Sequence, residues 1–233
     1  MGSLCDQVHG RLYSTISRIL VKLKYRWPTL LDVGCHDGTM TSKYARDVGA
    51  GSIIGIEFFE NLAEEARLRG ITVWKLDLER DLFPTIDCSV DVVVCNQVFE
   101  HLKQIYLPIS EIYRVLKVGG TFVFSTPNLS SLHNRVMLAL GKQPSVIRVL
   151  GPHVRGFAFG ELKHFLTLNS LFRVKSIRGV GFYPLPEPLA KIPASIFPSL
   201  SYSPVWVLEK VEVKSDTWMD YMQRQNVSTN FCD

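Results

Sequence analysis

The sequence predicts an α/β protein: a doubly wound, mostly parallel sheet of seven strands with a small cap. Three observations carry this. Five short apolar runs between residues 29 and 126 alternate with segments of helical period. The first run passes directly into a turn with glycines at 34 and 38. Four of the runs end in a polar residue: Asp32, Glu57, Asp77 and Asn96. Right-handed crossovers place the carboxyl ends of parallel strands on one edge, so these four residues should line a single crevice.

The elements follow in order. Residues 6–26 read as an amphipathic helix, with Val8, Leu12, Ile16, Ile19, Leu20 and Leu23 on one face and Arg11, Arg18, Lys22, Lys24 and Arg26 on the other. Packing on the core is preferred over a lid or a membrane-surface helix. Pro28 breaks the helix before strand one. Met40, Tyr44, Ala45 and Val48 then share a helix face, and Gly49 is placed to stop it. Ser52 to Glu57 is a second strand, Asn61 to Arg69 a helix stopped by Gly70, Thr72 to Asp77 a third strand and Asp91 to Asn96 a fourth. Residues 105–117 form a helix, and Gly119-Gly120 turns it into a fifth strand, Thr121 to Thr126. Beyond 129 the chain is apolar and basic. A helix near 160–170 and strands over 173–180 and 205–213 follow. Six of the twelve prolines fall within 181–204, so no regular element is expected there.

A hydrophobic fraction of 46% and a charged fraction of 21% suit one well-buried core. The expectation is a single domain over 1–213, with a ligand-binding core at 28–128, a cap at 129–204 and a loosely held polar tail at 214–233. A net charge of +4 is too small for a nucleic-acid footprint, so no nucleic-acid partner is expected. The five cysteines lack metal or CxxC spacing and read as reduced thiols of a cytoplasmic protein. No signal peptide opens the chain and no apolar run is long enough to span a bilayer. A peripheral position at the inner membrane surface stays open, as does the choice between monomer and homodimer.

With these positions in place, the chain resembles the class I S-adenosylmethionine-dependent methyltransferases. The stretches that carry the resemblance are Leu31-Asp-Val-Gly-Cys-His-Asp-Gly38, Ile56-Glu57, Leu76-Asp-Leu78, Asn96-Gln-Val-Phe-Glu-His-Leu102 and Leu116-Lys-Val-Gly-Gly120. Each is weak alone, and their order and spacing are specific. The resemblance implies a Rossmann-like methyltransferase fold and S-adenosylmethionine as cofactor. Glu57 would grip the ribose diol, since one carboxylate can accept from both hydroxyls. Asp77 and the N–H of Leu78 would meet the adenine. Gly34, Asn96 and Asp32 would surround the cofactor's ammonium, in a loop that also holds Cys35 and Gly38. Phe58 would cover the adenine or serve as a core aromatic. A nicotinamide dehydrogenase is the rival for such a sheet, but its GxGxxG turn is absent.

Two departures stand out. His36 occupies a position where the family usually has glycine, which costs stability if φ is positive there. Downstream, Ser125-Thr-Pro-Asn128, Gly151 to Phe157 and Glu161-Leu162 resemble a narrower group that includes the O-methyltransferases of ubiquinone biosynthesis and methyltransferases of cell-surface glycan clusters. In the ubiquinone enzymes two glutamates and a histidine after strand four can hold a divalent metal. Here Glu100 and His101 match, but Gln97 replaces the first glutamate, so no metal is expected. His101 is the candidate general base for a hydroxyl acceptor, against the plainer reading of a helix-start histidine satisfied by backbone. Asn128, His153, Phe157 and Tyr183 are the candidate acceptor contacts. An amphiphilic acceptor, a lipid-linked sugar or a prenylated phenol, suits the apolar and basic cap. The alternative is a cofactor-binding domain without transfer activity, acting as a partner or regulator.

Overall fold

A computed structural model describes residues 4–186 and 189–225. Seven strands form one sheet in the order β3-β2-β1-β4-β5-β7-β6. They are β1 (Thr29–Val33), β2 (Ser52–Glu57), β3 (Thr72–Lys75), β4 (Val90–Asn96), β5 (Leu116–Ser125), β6 (Phe172–Val180) and β7 (Ser203–Lys210). All neighbours run parallel except β7, which is antiparallel to both β5 and β6. The predicted fold class is therefore the one observed. The strand order reverses between β1 and β4, which pair directly, and this switch point is where such sheets bind ligands.

Alternation along β4 sets the two cores. Val90, Val93 and Cys95 face a cluster built with α4 (Tyr106–Val115), α6 (Phe159–Leu166) and α8 (Trp218–Arg224). Val92 and Val94 face the opposite cluster, where Leu12, Ile16 and Leu20 of α1 (Leu4–Leu20) meet Tyr44, Ala45 and Val48 of α2 (Thr39–Val48). Burial on both faces is why these strands read as nearly continuous apolar runs. α3 (Glu60–Leu68) packs Ala66 against Cys35 and Ile71.

Six features differ from expectation. α1 stops at Leu20, not at 26, because Tyr25 is drawn across the sheet, its hydroxyl bonding Gly119 O at 3.1 Å and Thr121 Oγ1 at 3.0 Å. The side chain of Val8 lies outside the described residues, as do Cys5 and Cys232. β3 ends at Lys75, so Asp77 stands in the following turn, and Asp32 is followed by one more strand residue. The double glycine does not precede β5 but lies inside it, in a bulge where the register passes from Val90–Leu116 to Val92–Thr121. The proline-rich stretch does hold a helix, α7 (Lys191–Ile196). Pro193 is tolerated because it sits in the first turn, where its missing N–H would have no intrahelical partner. The tail is not loose throughout: α8 buries Trp218 fully, and its indole N–H donates to Phe165 O at 2.7 Å. The remainder of the tail, 226–233, lies outside the described residues.

Candidate functional site

A cavity of about 650 Å³ opens at the carboxyl ends of β1 and β4. Of the predicted cofactor residues it brings together Asp32, Gly34, Cys35 and Asn96. Tyr13 of α1, Met40 and Tyr44 of α2, and Gln97 complete most of its wall. Two carboxylates, Asp32 and Asp37, face it, and among the described residues no lysine or arginine does. Such a lining favours a cationic ligand and offers nothing to a pyrophosphate.

Asp32 forms the floor. It is 4% exposed, and its carboxylate accepts from Thr41 Oγ1 at 2.5 Å. Burial pushes its pKa up to about 7, with the Thr41 hydrogen bond opposing. A buried acid with one neutral partner is poised for a cation. Cys35, by contrast, is raised to about 12 by burial and by the nearby carboxylates, so its thiol is inert.

The glycine loop shows why its residues are small. Gly34 and Gly38 both have φ of +80°. A Cβ on Gly38 would stand 2.6 Å from Ile71 Cδ1 and 2.9 Å from the Ala66 backbone. Its close approach is thus to α3, and Gly38 does not line the cavity. His36 adopts φ +51°, the strained conformation that the sequence made a concern. The loop is held there from outside: Glu57 accepts from His36 N, Phe58 N and Phe59 N, each at 3.0 Å. Three of its roughly four acceptor positions are thereby used. Glu57 consequently orders the loop, with one acceptor position left over.

Glu57, Phe58, Asp77 and Leu78 stand on the β2 and β3 side and do not line the cavity itself. Phe58 is 55% exposed beside Phe59, so it is not a core aromatic. Asp77 accepts from Glu79 N at 2.9 Å, and Leu78 is buried. Asn96 is committed on both side-chain atoms, accepting from Ser125 Oγ at 2.5 Å and donating to Tyr44 OH at 3.5 Å. Gln97, at φ +58°, donates to the hydroxyls of Ser125 and Ser203, both at 3.2 Å.

Past the cavity, a 3-10 turn at Phe99–His101 meets the cap. Val154 N and Arg155 N donate to Glu100 O at 2.9 and 3.2 Å. This contact brings His153 to His101, ring centroids 4.9 Å apart. Both Nδ1 atoms face backbone carbonyls, His101 that of Pro152 at 3.3 Å and His153 that of Val146 at 2.7 Å. In a neutral ring, an Nδ1 that faces an acceptor carries the proton and leaves the lone pair on Nε2. Partial burial holds the His101 pKa below the usual value, as does His153, with the Pro152 carbonyl opposing. Glu100 is 2% exposed and is raised to about 7 by burial. Thr126 donates to its Oε2 at 3.1 Å, while Oε1 is buried without a partner. One ligand atom each from Glu100, His101 and His153 lies within 4.8 Å of the others. The expectation of no metal rested on Gln97 alone and did not foresee that the cap delivers His153 as a third donor.

Two candidate acceptor contacts are spent on the fold. Asn128 is 1% exposed; its amide donates to Ser199 O and Ser201 O and accepts from Ser130 N and Oγ. No polar atom of its side chain remains for an acceptor. Phe157 lies in the main core, paired through its backbone with Asn128. Tyr183 is partly exposed, its ring edge-on to His133 at 4.3 Å. Sequence reasoning missed Tyr13 and Thr41. The signal for Tyr13 was an aromatic one step off the apolar stripe of α1; for Thr41 there was none short of the fold.

Known proteins resemble this chain in sequence and in fold. Residues 31–124 match the family model described as "Methyltransferase domain". The chain is 39% identical over 152 residues to a Mycolicibacterium smegmatis protein named "Probable S-adenosylmethionine-dependent methyltransferase/", covering 65% of this chain and 54% of that one. It is 27% identical over 166 residues to a ubiquinone biosynthesis O-methyltransferase of Hydrogenovibrio crunogenus, covering 67% of each. A solved S-adenosylmethionine-dependent methyltransferase from Mesorhizobium loti superposes with a TM-score of 0.61 at 18% identity, over 87% of this chain and all of that one. One from Archaeoglobus fulgidus gives 0.60 at 18% identity, over 86% and 94%. Residues 31–124 thus match the methyltransferase domain, and the whole sheet shares its fold with solved S-adenosylmethionine-dependent methyltransferases. It spans about half the length of the Mycolicibacterium relative.

Proposed function

We propose that this protein transfers the methyl group of S-adenosylmethionine to a hydroxyl of a small or lipid-linked acceptor, a glycan or a phenol. The observation that carries this reading is the cavity: acidic, free of lysine and arginine among the described residues, and floored by a buried carboxylate at the switch point. The bound cofactor supplies an electrophilic methyl on a good leaving group, so the protein's part is alignment and exclusion of water. Asp32 offers its charge to the cofactor's ammonium, and the Glu57-ordered loop fixes the backbone around it. The cap segment 152–155, hung on the Glu100 carbonyl, covers the turn that carries His101. Neutral His101, with its lone pair on Nε2, takes the acceptor's hydroxyl proton.

The test begins with calorimetric titration of S-adenosylmethionine and its demethylated product, with NADH as control. Micromolar binding of the first two alone is expected. A screen of polyprenyl phenols and glycan lipids then follows methyl incorporation. His101→Ala should leave cofactor affinity unchanged and lower turnover by about 10²–10⁴. Unchanged turnover removes His101 from the mechanism. Binding without turnover on any acceptor class would favour the silent cofactor-binding domain.

A second reading has its own support in the orphaned Glu100 Oε1. Glu100, His101 and His153 suit a divalent cation, each histidine anchored through Nδ1 as metal-ligating histidines are. A cation there would polarise the acceptor hydroxyl, and His101 would be its ligand instead of a base. Titration with cobalt(II), followed by its visible absorption, separates the two readings. A tetrahedral cobalt spectrum lost in His153→Ala supports the metal; no spectrum supports the free base.

A further inference from the structure

α1 is a wall between two clefts of opposite sign. Gly10 and Tyr13 face the acidic cavity. On its other side, α1 and the residues after it join β6 and α7 around a hollow of about 700 Å³. Arg11, Arg18, Lys22, Arg178 and Lys191 line this hollow, and among the described residues no acidic one does. Arg18, Lys22 and Arg178 are exposed. Among the described residues none of these three has a carboxylate partner. In a chain whose net charge is only +4, this is a concentrated positive field. The cationic cofactor cannot be what it is for.

The hollow has an apolar border. α7 supplies Lys191 and Ser195 to it, yet leaves Ile192 71% and Ile196 63% exposed. At i,i+4 spacing these two share one helix face. Leu189 and Phe197 flank them at 62% and 52% exposure. Four large apolar side chains exposed within nine residues, beside a cationic hollow, make a continuous two-part surface. A free phosphate would account for the cations but not for the isoleucines. An apolar protein surface would account for the isoleucines but not for the cations. An anionic bilayer accounts for both, with phosphate headgroups in the hollow and the α7 face at the acyl boundary.

We infer that this face docks on membranes containing anionic phospholipid. The placement fits the sheet. β6 and β5 are both antiparallel to β7, so β6 ends, at Val180, on the edge that carries Asp32 and Asn96. The membrane would then lie next to the mouth of the reactive cavity, across the thickness of α1. The docking stands whichever acceptor is methylated; only delivery of a lipid-borne acceptor from the bilayer rests on the function proposed above.

The test is co-sedimentation of the full chain with phosphatidylcholine vesicles, with and without about one-third phosphatidylglycerol, at low and high salt. Binding to the anionic vesicles alone, weakened by salt, is expected. The variant R18Q/K22Q/R178Q should lower partitioning about a hundredfold, at roughly fivefold per cation. I192S/I196S should lower it at least tenfold while retaining the salt dependence. All five positions are exposed, so circular dichroism should show these variants folded. Equal binding to both vesicle types, binding to neither, or wild-type binding by either variant would overturn the inference. So would calorimetric binding of inorganic pyrophosphate without vesicle binding, which would make the hollow a soluble-anion site. Cofactor titration of the same samples reports separately on the methyltransferase reading.

Discussion

Asp32 gives the most demanding prediction, because the charge proposed to serve the cofactor is costly in its absence. Its carboxyl is displaced by burial from 3.8 to about 7. At about 1.4 kcal/mol per tenfold in proton affinity, that displacement amounts to roughly 4 kcal/mol. A carboxyl with a raised folded pKa binds its proton more tightly in the native than in the unfolded chain. Stability therefore falls as pH rises from about 4 to about 7 and levels off above. Glu100, raised from 4.5 to about 7, adds roughly 3 kcal/mol over the same window and with the same sign. Against a total of about 5–15 kcal/mol, the cofactor-free protein should be far more stable near pH 5 than near pH 8. The assay is urea unfolding of the cofactor-free protein across that range, for wild type and Asp32→Asn. Asparagine keeps an acceptor for Thr41 but cannot ionise. It should remove about half of the slope, and it should abolish the ligand's preference for alkaline pH. In the wild type a cationic ligand favours ionised Asp32, so its affinity should drop by up to about tenfold per pH unit below 7. If wild type and Asp32→Asn unfold with the same pH dependence, Asp32 titrates normally and the buried-floor argument is wrong.

Three further outcomes are expected. His36→Gly relieves a left-handed conformation at an exposed side chain and should stabilise by up to about 1 kcal/mol, raising Tm by roughly 2–4 °C; a fall in Tm would mean that its contact with Asp37 matters more than the strain. Trp218→Ala should cost about 3–5 kcal/mol in urea unfolding, since the indole is fully buried between α4 and α6; a loss below about 1 kcal/mol would restore the picture of a loose tail. Glu57→Ala should weaken cofactor binding by about 2–3 kcal/mol, through the lost hydroxyl contact and through release of the loop it holds; unaltered calorimetric affinity would remove Glu57 from the site.

The sheet was legible because its strands are buried on both faces. Val92 to Cys95 alternate between two cores, so the run is apolar throughout and cannot be read as a surface element. Two of the four polar strand ends were legible for the complementary reason: Asp32 and Asn96 sit where the sheet opens into the cavity, whereas Glu57 and Asp77 stand beside it. The positive φ at His36 was raised only as a condition, by the resemblance to a family that usually has glycine there, and the structure meets that condition. What failed was local periodicity wherever a distant group outbid it. α1 ended early for a hydroxyl bond from Tyr25 to β5, and the proline-rich cap kept a helix because Pro193 fell in its first turn.

The sequence by itself determined the fold class and the strand-end edge where the cavity opens, because these depend on patterns that recur within a few residues of each strand end. Tertiary structure alone decided which polar side chains are free to act. Asn128 proved to be a fully satisfied clamp, Glu57 a support for the loop, and His153 a neighbour of His101 across 52 positions of chain. The reason is physical: a hydrogen bond is exhausted by whichever partner the packed chain brings within 3 Å, and no local pattern records that partner.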